Sequence, residues 1–195
     1  MKVVIIKYNA GNIRSVSFAL ERIGVTPIIT DDAEEIRSAD KIIFPGVGEA
    51  SSAMQYLKNK KLDEVITSLT QPFLGICLGM QLMCKHSEEG NTSCLGIFNE
   101  QVKLFPSMGL KVPQMGWNNI YNLKTPLFNN VPENAYMYFV HSYYVELGND
   151  TINTTNYGIE YSSALHKNNF YAVQYHPEKS SDAGQQVLEN FVREL

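Results

Sequence analysis

The sequence predicts an α/β fold: a doubly wound, mixed but mostly parallel sheet with helices on both faces and a strand-rich second half. Three observations carry this. Strand and helix signals alternate through the first half, an order that builds parallel βαβ units. The strands are short, continuously apolar runs, as in strands buried on both faces. The string Gly75-Ile76-Cys77-Leu78-Gly79 sets a residue in a tight, glycine-flanked turn between a strand and a helix, where open α/β sheets carry their ligand sites.

Residues 3–8 form the first apolar run, which Asn9-Ala10-Gly11-Asn12 breaks. Ile13, Val16, Leu20 and Ile23 then recur at helical spacing, with Asn12 as N-cap and Gly24 as stop. Residues 25–29 read as a second strand, placed near an edge by Pro27. Asp31 or Asp32 caps a short helix, and residues 41–44 are a third strand ending in Pro45-Gly46-Val47-Gly48. Helical segments reach Leu57 and then Leu69. Residues 73–76 are a fourth strand running into Cys77, and a helix from Leu78 to about Ser87 is closed by Glu88-Glu89-Gly90. Beyond it, residues 101–105, 135–140, 159–165 and 170–175 look extended, with His166-Lys167-Asn168-Asn169 as a hairpin turn. Residues 182–194 form a last helix with Val187, Leu188 and Phe191 inward. No repeat or linker interrupts this pattern, so residues 1–195 read as one domain.

Composition narrows the function classes. Sixteen basic against 20 acidic residues, a net charge of −4, leave no basic stripe for nucleic acid. No apolar run approaches the ~20 residues of a membrane span, and the start is too short for a signal peptide. Charged residues, at 18%, fall below the typical ~25%, which leans toward a partner interface. The three cysteines, Cys77, Cys84 and Cys94, are odd in number and lack zinc-ligand spacing, which predicts reduced thiols in the cytoplasm.

The chemistry centres on Cys77. The glycines allow the strained nucleophile-elbow turn, with Cys where hydrolases use Ser. The turn puts the sulfur at a helix N-terminus, where dipole and free N–H groups stabilise a thiolate. The Leu78 N–H is free to hold an oxyanion. About a hundred residues later, Gln174-Tyr175-His176-Pro177-Glu178 follows a strand, so His176 can meet the sulfur while Glu178 orients the imidazole. Pro45-Gly46-Val47-Gly48 ends another strand, and its glycines let backbone N–H groups approach a developing negative charge.

Together these motifs resemble the class I (triad) glutamine amidotransferases, over essentially the whole chain. Gly75-Ile76-Cys77-Leu78-Gly79-Met80-Gln81 is similar to that family's nucleophile motif, and His176-Pro177-Glu178 to its His-x-Glu. A narrower resemblance is to the glutaminase subunits of imidazole glycerol phosphate synthases. It rests on Tyr8-Asn9-Ala10-Gly11-Asn12-Ile13, Pro45-Gly46-Val47-Gly48, the stretch from Lys111 to Asn118, and Phe139-Val140-His141-Ser142-Tyr143-Tyr144. One departure stands out: Gln114 occupies a position where the family usually has His.

The resemblance implies a flavodoxin-like architecture and a glutaminase with Cys77, His176 and Glu178 as catalytic residues. Val47, Gly48 and Leu78 would supply the oxyanion backbone; Gly48, Gln81, His141, Ser142 and Tyr143 would surround L-glutamine. Asn12, Pro113, Gln114, Met115 and Trp117 would meet a partner, the (β/α)8-barrel cyclase subunit HisF, in a heterodimer. No metal or organic cofactor is implied. Read without the resemblance, His141 is an ordinary packed strand residue. Three alternatives stay open: a related glutaminase feeding another synthase, a stand-alone cysteine hydrolase and a non-catalytic interaction subunit.

Overall fold

The computed structural model describes residues 1–9, 11–107 and 109–195; Ala10, in the predicted break after the first strand, lies outside the described residues. The first half contains β1 (Val3–Ile6), α1 (Ile13–Arg22), β2 (Ile28–Thr30), α2 (Ala33–Arg37), β3 (Lys41–Gly46), α3 (Ala50–Asn59), α4 (Leu62–Thr67), β4 (Phe73–Cys77) and α5 (Leu78–Met83). The second contains β5 (His86–Ser87), β6 (Thr92–Ser93), β7 (Gln101–Leu104), β8 (Gln114–Asn119), β9 (Tyr136–His141), β10 (Tyr143–Val145), β11 (Thr151–Asn156), β12 (Glu160–Lys167), β13 (Phe170–Val173) and α6 (Ser181–Arg193).

The main sheet runs β2-β1-β3-β4-β13-β12-β10-β7-β5-β6, with β11 on β12. From β2 to β13 every pairing is parallel. Beyond β13 the next three pairings are antiparallel. The two-residue period of the apolar strands explains why both faces carry helices. Val3 and Ile5 of β1 pack with Val16 and Leu20 of α1 and Val187, Leu188 and Phe191 of α6. Val4 and Ile6 pack on the opposite face with Ile36, Leu57 and Ile66 of α2, α3 and α4. The chain leaves β1 in both lateral directions, toward β2 and toward β3, which opens a crevice at the carboxyl ends of the strands. The segments after β1, β3, β4 and β13 all enter it.

Several local expectations hold. β2 is the edge strand, Asp32 caps α2 through the N–H groups of Glu34 and Glu35 at 3.0 and 2.9 Å, and Asn168 turns the β12–β13 hairpin at φ 56°. Others are corrected. The fifth helix ends at Met83, not near Ser87, because His86 and Ser87 pair with Gln101 and Val102 of β7. Asn12 starts α1 at φ 73° without a side-chain cap, since its amide is taken elsewhere. Strands β8, β10 and β11 were not expected. β8 pairs with β9 as a separate two-stranded sheet. Polar β11 is held by hydroxyl and amide contacts, including Thr155 Oγ1 to Ser163 Oγ at 2.8 Å. Among the described residues no helix is long and apolar enough to cross a membrane.

Candidate active site

The elbow at Cys77 is built by close approach. β4 delivers the residue at φ 53°, ψ −109°, a strained conformation for a side chain with a Cβ and worth about 1–3 kcal/mol. Gly79 lies against the β3 backbone: a Cβ there would come within 1.9 Å of the Phe44 carbonyl oxygen. A Cβ at Gly75 would meet Met83 Sδ at 2.5 Å. Leu78, first residue of α5, has an N–H without an intrahelical acceptor. Burial pushes the thiols of Cys84 and Cys94 up, that of Cys94 to about 12.

His176 and Glu178 follow β13 and are both buried. His176 Nδ1 lies 2.8 Å from Glu178 Oε1, so the carboxylate fixes the tautomer and leaves Nε2 for another partner. Nε2 is buried and has no hydrogen-bond partner among the described residues. Ser180 Oγ donates to the His176 carbonyl at 2.6 Å, and the His176 N–H donates to Tyr138 O at 2.9 Å, so the residue is pinned by its backbone. Burial pulls the imidazole pKa down, but the sulfur of Cys77 and the carboxylate of Glu178 raise it to about 10. Asn12 Nδ2 donates to Glu178 Oε1 and stands 3.3 Å from His176 Nδ1. The residue expected at a partner interface thus also touches Glu178.

A cavity of about 270 Å³ opens beside the sulfur, below the ~300 Å³ at which drug-sized pockets begin. It is lined by Val47, Gly48, Cys77, Leu78, Gln81, His141, Ser142 and Tyr143, every expected oxyanion and glutamine-surrounding residue, and by Pro113 and Val140. Gly48 takes φ +143°, a conformation that favours glycine, and the Val47 carbonyl accepts from the Gly11 N–H at 3.1 Å. Glu89 also lines the cavity and was missed by sequence reasoning, where nothing local separates it from Glu88. Its pKa is raised by burial, against the Ala50 N–H that its Oε2 accepts at 2.8 Å. Among the described residues no group of three or more His, Cys, Asp or Glu could hold a metal ion.

His141 is buried, and burial lowers its pKa to about 4, so it is neutral. Its Nδ1–H donates to Tyr143 O at 2.7 Å, which leaves Nε2 as an acceptor. Tyr161 Oη sits 3.2 Å from that Nε2 and 2.9 Å from Gln114 Oε1. One hydroxyl proton cannot serve two acceptors, and Gln114 Nε2 is buried without a partner among the described residues. Turning the Gln114 amide over satisfies both: Nε2 donates to Tyr161, and Tyr161 donates to His141. Gln114, expected at an interface, is in fact turned inward at 3% exposure, because alternation along β8 puts its neighbours Met115 and Trp117 outside. Met115 is 61% and Trp117 53% exposed, and Trp117 stacks edge-on with Tyr138 of β9.

Comparison with known proteins agrees with this geometry. The chain is 56% identical over 194 residues to the imidazole glycerol phosphate synthase subunit HisH of Bacteroides fragilis (strain YCH46), covering 98% of this chain and 99% of that one. It is 46% identical over 196 residues to the protein of the same name from Haemophilus influenzae (strain KW20), covering 100% and 98%. Among solved structures, PurLQS from Thermotoga maritima shares the fold at a TM-score of 0.73 and 16% identity, over 99% of this chain and 98% of that one. The family model for glutamine amidotransferase class-I matches residues 4–195, and the chain belongs to that family.

Proposed function

We propose that this chain is the glutaminase subunit of an imidazole glycerol phosphate synthase, folded as one amidotransferase domain over residues 1–195 and working in the cytoplasm. The observation that carries the reading is Cys77 at the wall of a small cavity, with a buried His176–Glu178 pair near enough for the sulfur to raise the imidazole pKa. The full-length likeness to proteins named as that subunit supports it.

Cys77 attacks the side-chain amide carbon of L-glutamine. The Leu78 N–H and an N–H of the Val47–Gly48 turn hold the oxyanion, and Glu89, the cavity's carboxylate, complements the substrate's α-ammonium group. His176 gives its Nε2 proton to the departing ammonia while Glu178 holds the imidazole, and the γ-glutamyl thioester forms. His176 then takes a proton from water, which releases glutamate and restores Cys77. Gln81, His141, Ser142 and Tyr143 position the substrate.

Ammonia in free solution is protonated and lost, so a glutaminase of this kind serves an acceptor enzyme directly. The partner is the cyclase subunit HisF, a (β/α)8 barrel that forms imidazole glycerol phosphate and aminoimidazole carboxamide ribotide. It meets the face formed by Met115, Trp117 and Tyr136, with Asn12, Pro113 and Gln114 behind that face; Tyr136 is 60% exposed.

The test is glutamate release by the purified chain, alone and with the cyclase from the same genome plus its formimino ribulotide ligand, with Cys77→Ala as control. Low activity alone, a strong rise with both additions and none in the control is the expected result. Equal activity with and without the cyclase refutes the partner, and activity surviving Cys77→Ala refutes the nucleophile.

A further inference from the structure

Gln174 has no part in the mechanism above, yet its side chain reaches the nucleophile. It follows β13 directly, two residues before His176, and is fully buried. Its Nε2 stands 3.8 Å from Cys77 Sγ. Its Oε1 stands 3.0 Å from Gln81 Nε2, which is also 2.9 Å from the Tyr143 carbonyl oxygen.

The direction of this chain of contacts is fixed by chemistry. A backbone carbonyl only accepts, so Tyr143 determines which end of the Gln81 amide is nitrogen. That nitrogen's second proton meets Gln174, so the atom of Gln174 facing it is oxygen. The other end of the Gln174 amide is then the NH2 group, and it faces the sulfur. The sulfur has a different neighbour as well: as a thiol, Cys77 donates to Val140 O at 3.8 Å. Once the proton leaves, that contact sets two electron-rich atoms together, and the Gln174 N–H becomes the favourable one.

We propose that Gln174 is a positioning residue for Cys77: oriented by Tyr143 through Gln81, it donates to the sulfur and holds it where attack begins. Gln81 and Tyr143 line the cavity, so the relay joins the wall of the substrate site to the nucleophile. The claim rests on the reading of Cys77 as nucleophile, and its test separates the two.

Gln174→Met keeps the length and removes the donor. Gln174→Glu keeps the shape and still accepts from Gln81, but has no proton for the sulfur. Two readouts are taken on each. One is the rate at which iodoacetamide alkylates Cys77 in the chain alone, followed by mass spectrometry, which needs neither glutamine nor a partner. The other is kcat and KM for glutamine in the complex with the cyclase. Both variants are expected to melt as cooperative folded proteins, to alkylate Cys77 more slowly, and to lose roughly 10- to 100-fold in kcat with KM changed less than about threefold. Gln81→Met, which does not remove the group facing the sulfur, is expected to raise KM and also to slow alkylation, because Gln174 loses its orientation. Alkylation at the wild-type rate in both Gln174 variants, or a rise in KM with kcat unchanged, overturns the proposal. Slowed alkylation in a chain whose wild type releases no glutamate leaves the positioning intact and sinks the glutaminase reading instead.

Discussion

Glu178→Gln separates charge from shape at the triad. The carboxylate's Oε1 accepts from His176 and from Asn12, whereas its Oε2 is buried without a partner among the described residues. The glutamine oxygen can therefore take the place of Oε1, which leaves an NH2 group where Oε2 was, a buried donor with nothing to meet. That penalty is about 1–3 kcal/mol and does not depend on pH. The second effect does. The rise of the imidazole pKa from 6.5 to about 10 corresponds to about 5 kcal/mol of preference for the imidazolium. Burial opposes the rise, and Cys77 and Glu178 together produce it. Cys77 contributes the larger part of it and Glu178 the smaller. Because the folded pKa lies above the unfolded one, this stabilisation is complete below about pH 6.5 and fades as pH rises toward 10. Urea unfolding of wild type and variant is therefore expected to differ by about 1–3 kcal/mol at pH 10, where only the unpartnered amide counts, and by more at pH 6. An NMR titration of His176 should show its midpoint falling in the variant, and falling further when Cys77→Ala is added. A stability difference equal at both pH values, or a His176 midpoint indifferent to Glu178, refutes the electrostatic account.

Other expectations follow from single contacts. Glu89→Gln should raise KM for glutamine by roughly 10- to 100-fold with kcat little changed, since it removes a charge-assisted contact made in ground and transition states alike; a fall in kcat alone would remove Glu89 from the substrate's α-ammonium group. Tyr161→Phe strands the acceptor of His141 and the amide of Gln114, and calorimetry should find a loss of about 1–3 kcal/mol; unchanged melting would contradict the hydrogen-bond assignment. Gly79→Ala drives a methyl into the Phe44 carbonyl and should destabilise the chain by about 3 kcal/mol or more, which wild-type melting would disprove. Trp117→Ala should leave melting within about 1 kcal/mol of wild type, as the ring is half exposed, yet weaken stimulation by the cyclase; full stimulation would move the interface elsewhere.

The parts legible in the sequence are those whose chemistry is local. β1, β3 and β4 announce themselves because burial on both faces demands apolar residues at every position, as in Val3-Val4-Ile5-Ile6. The elbow is legible because Gly75 and Gly79 leave no room for a Cβ, and His176 because Glu178 stands two residues away. The parts that stayed hidden depend on distant partners. β11, Thr-Ile-Asn-Thr-Thr-Asn, has no apolar alternation because hydroxyl and amide contacts to β12 hold it. The end of α5 is set by pairing with a strand 15 residues further on. Asn12 reads as a helix cap, but its amide goes to Glu178, 166 residues away. Gln174 did leave a trace: a polar side chain directly after the buried run Phe170–Val173.

Gln114 ties these observations together. It stands where the resemblance leads one to expect a histidine at a partner interface. Its burial changes the question from charge to donor geometry. The position has to give one proton to Tyr161, so that Tyr161 can give its own to the neutral His141 and His141 Nδ1 can hold the Tyr143 carbonyl. A neutral imidazole or an amide can each donate that proton; only the amide does so with a proton count that never varies across neutral pH. The same Tyr143 carbonyl orients Gln81, and through it Gln174 and the sulfur. The glutamine at position 114 therefore preserves the hydrogen-bond direction that reaches Cys77, and it keeps a titrating group out of the strand beneath the exposed Trp117 face.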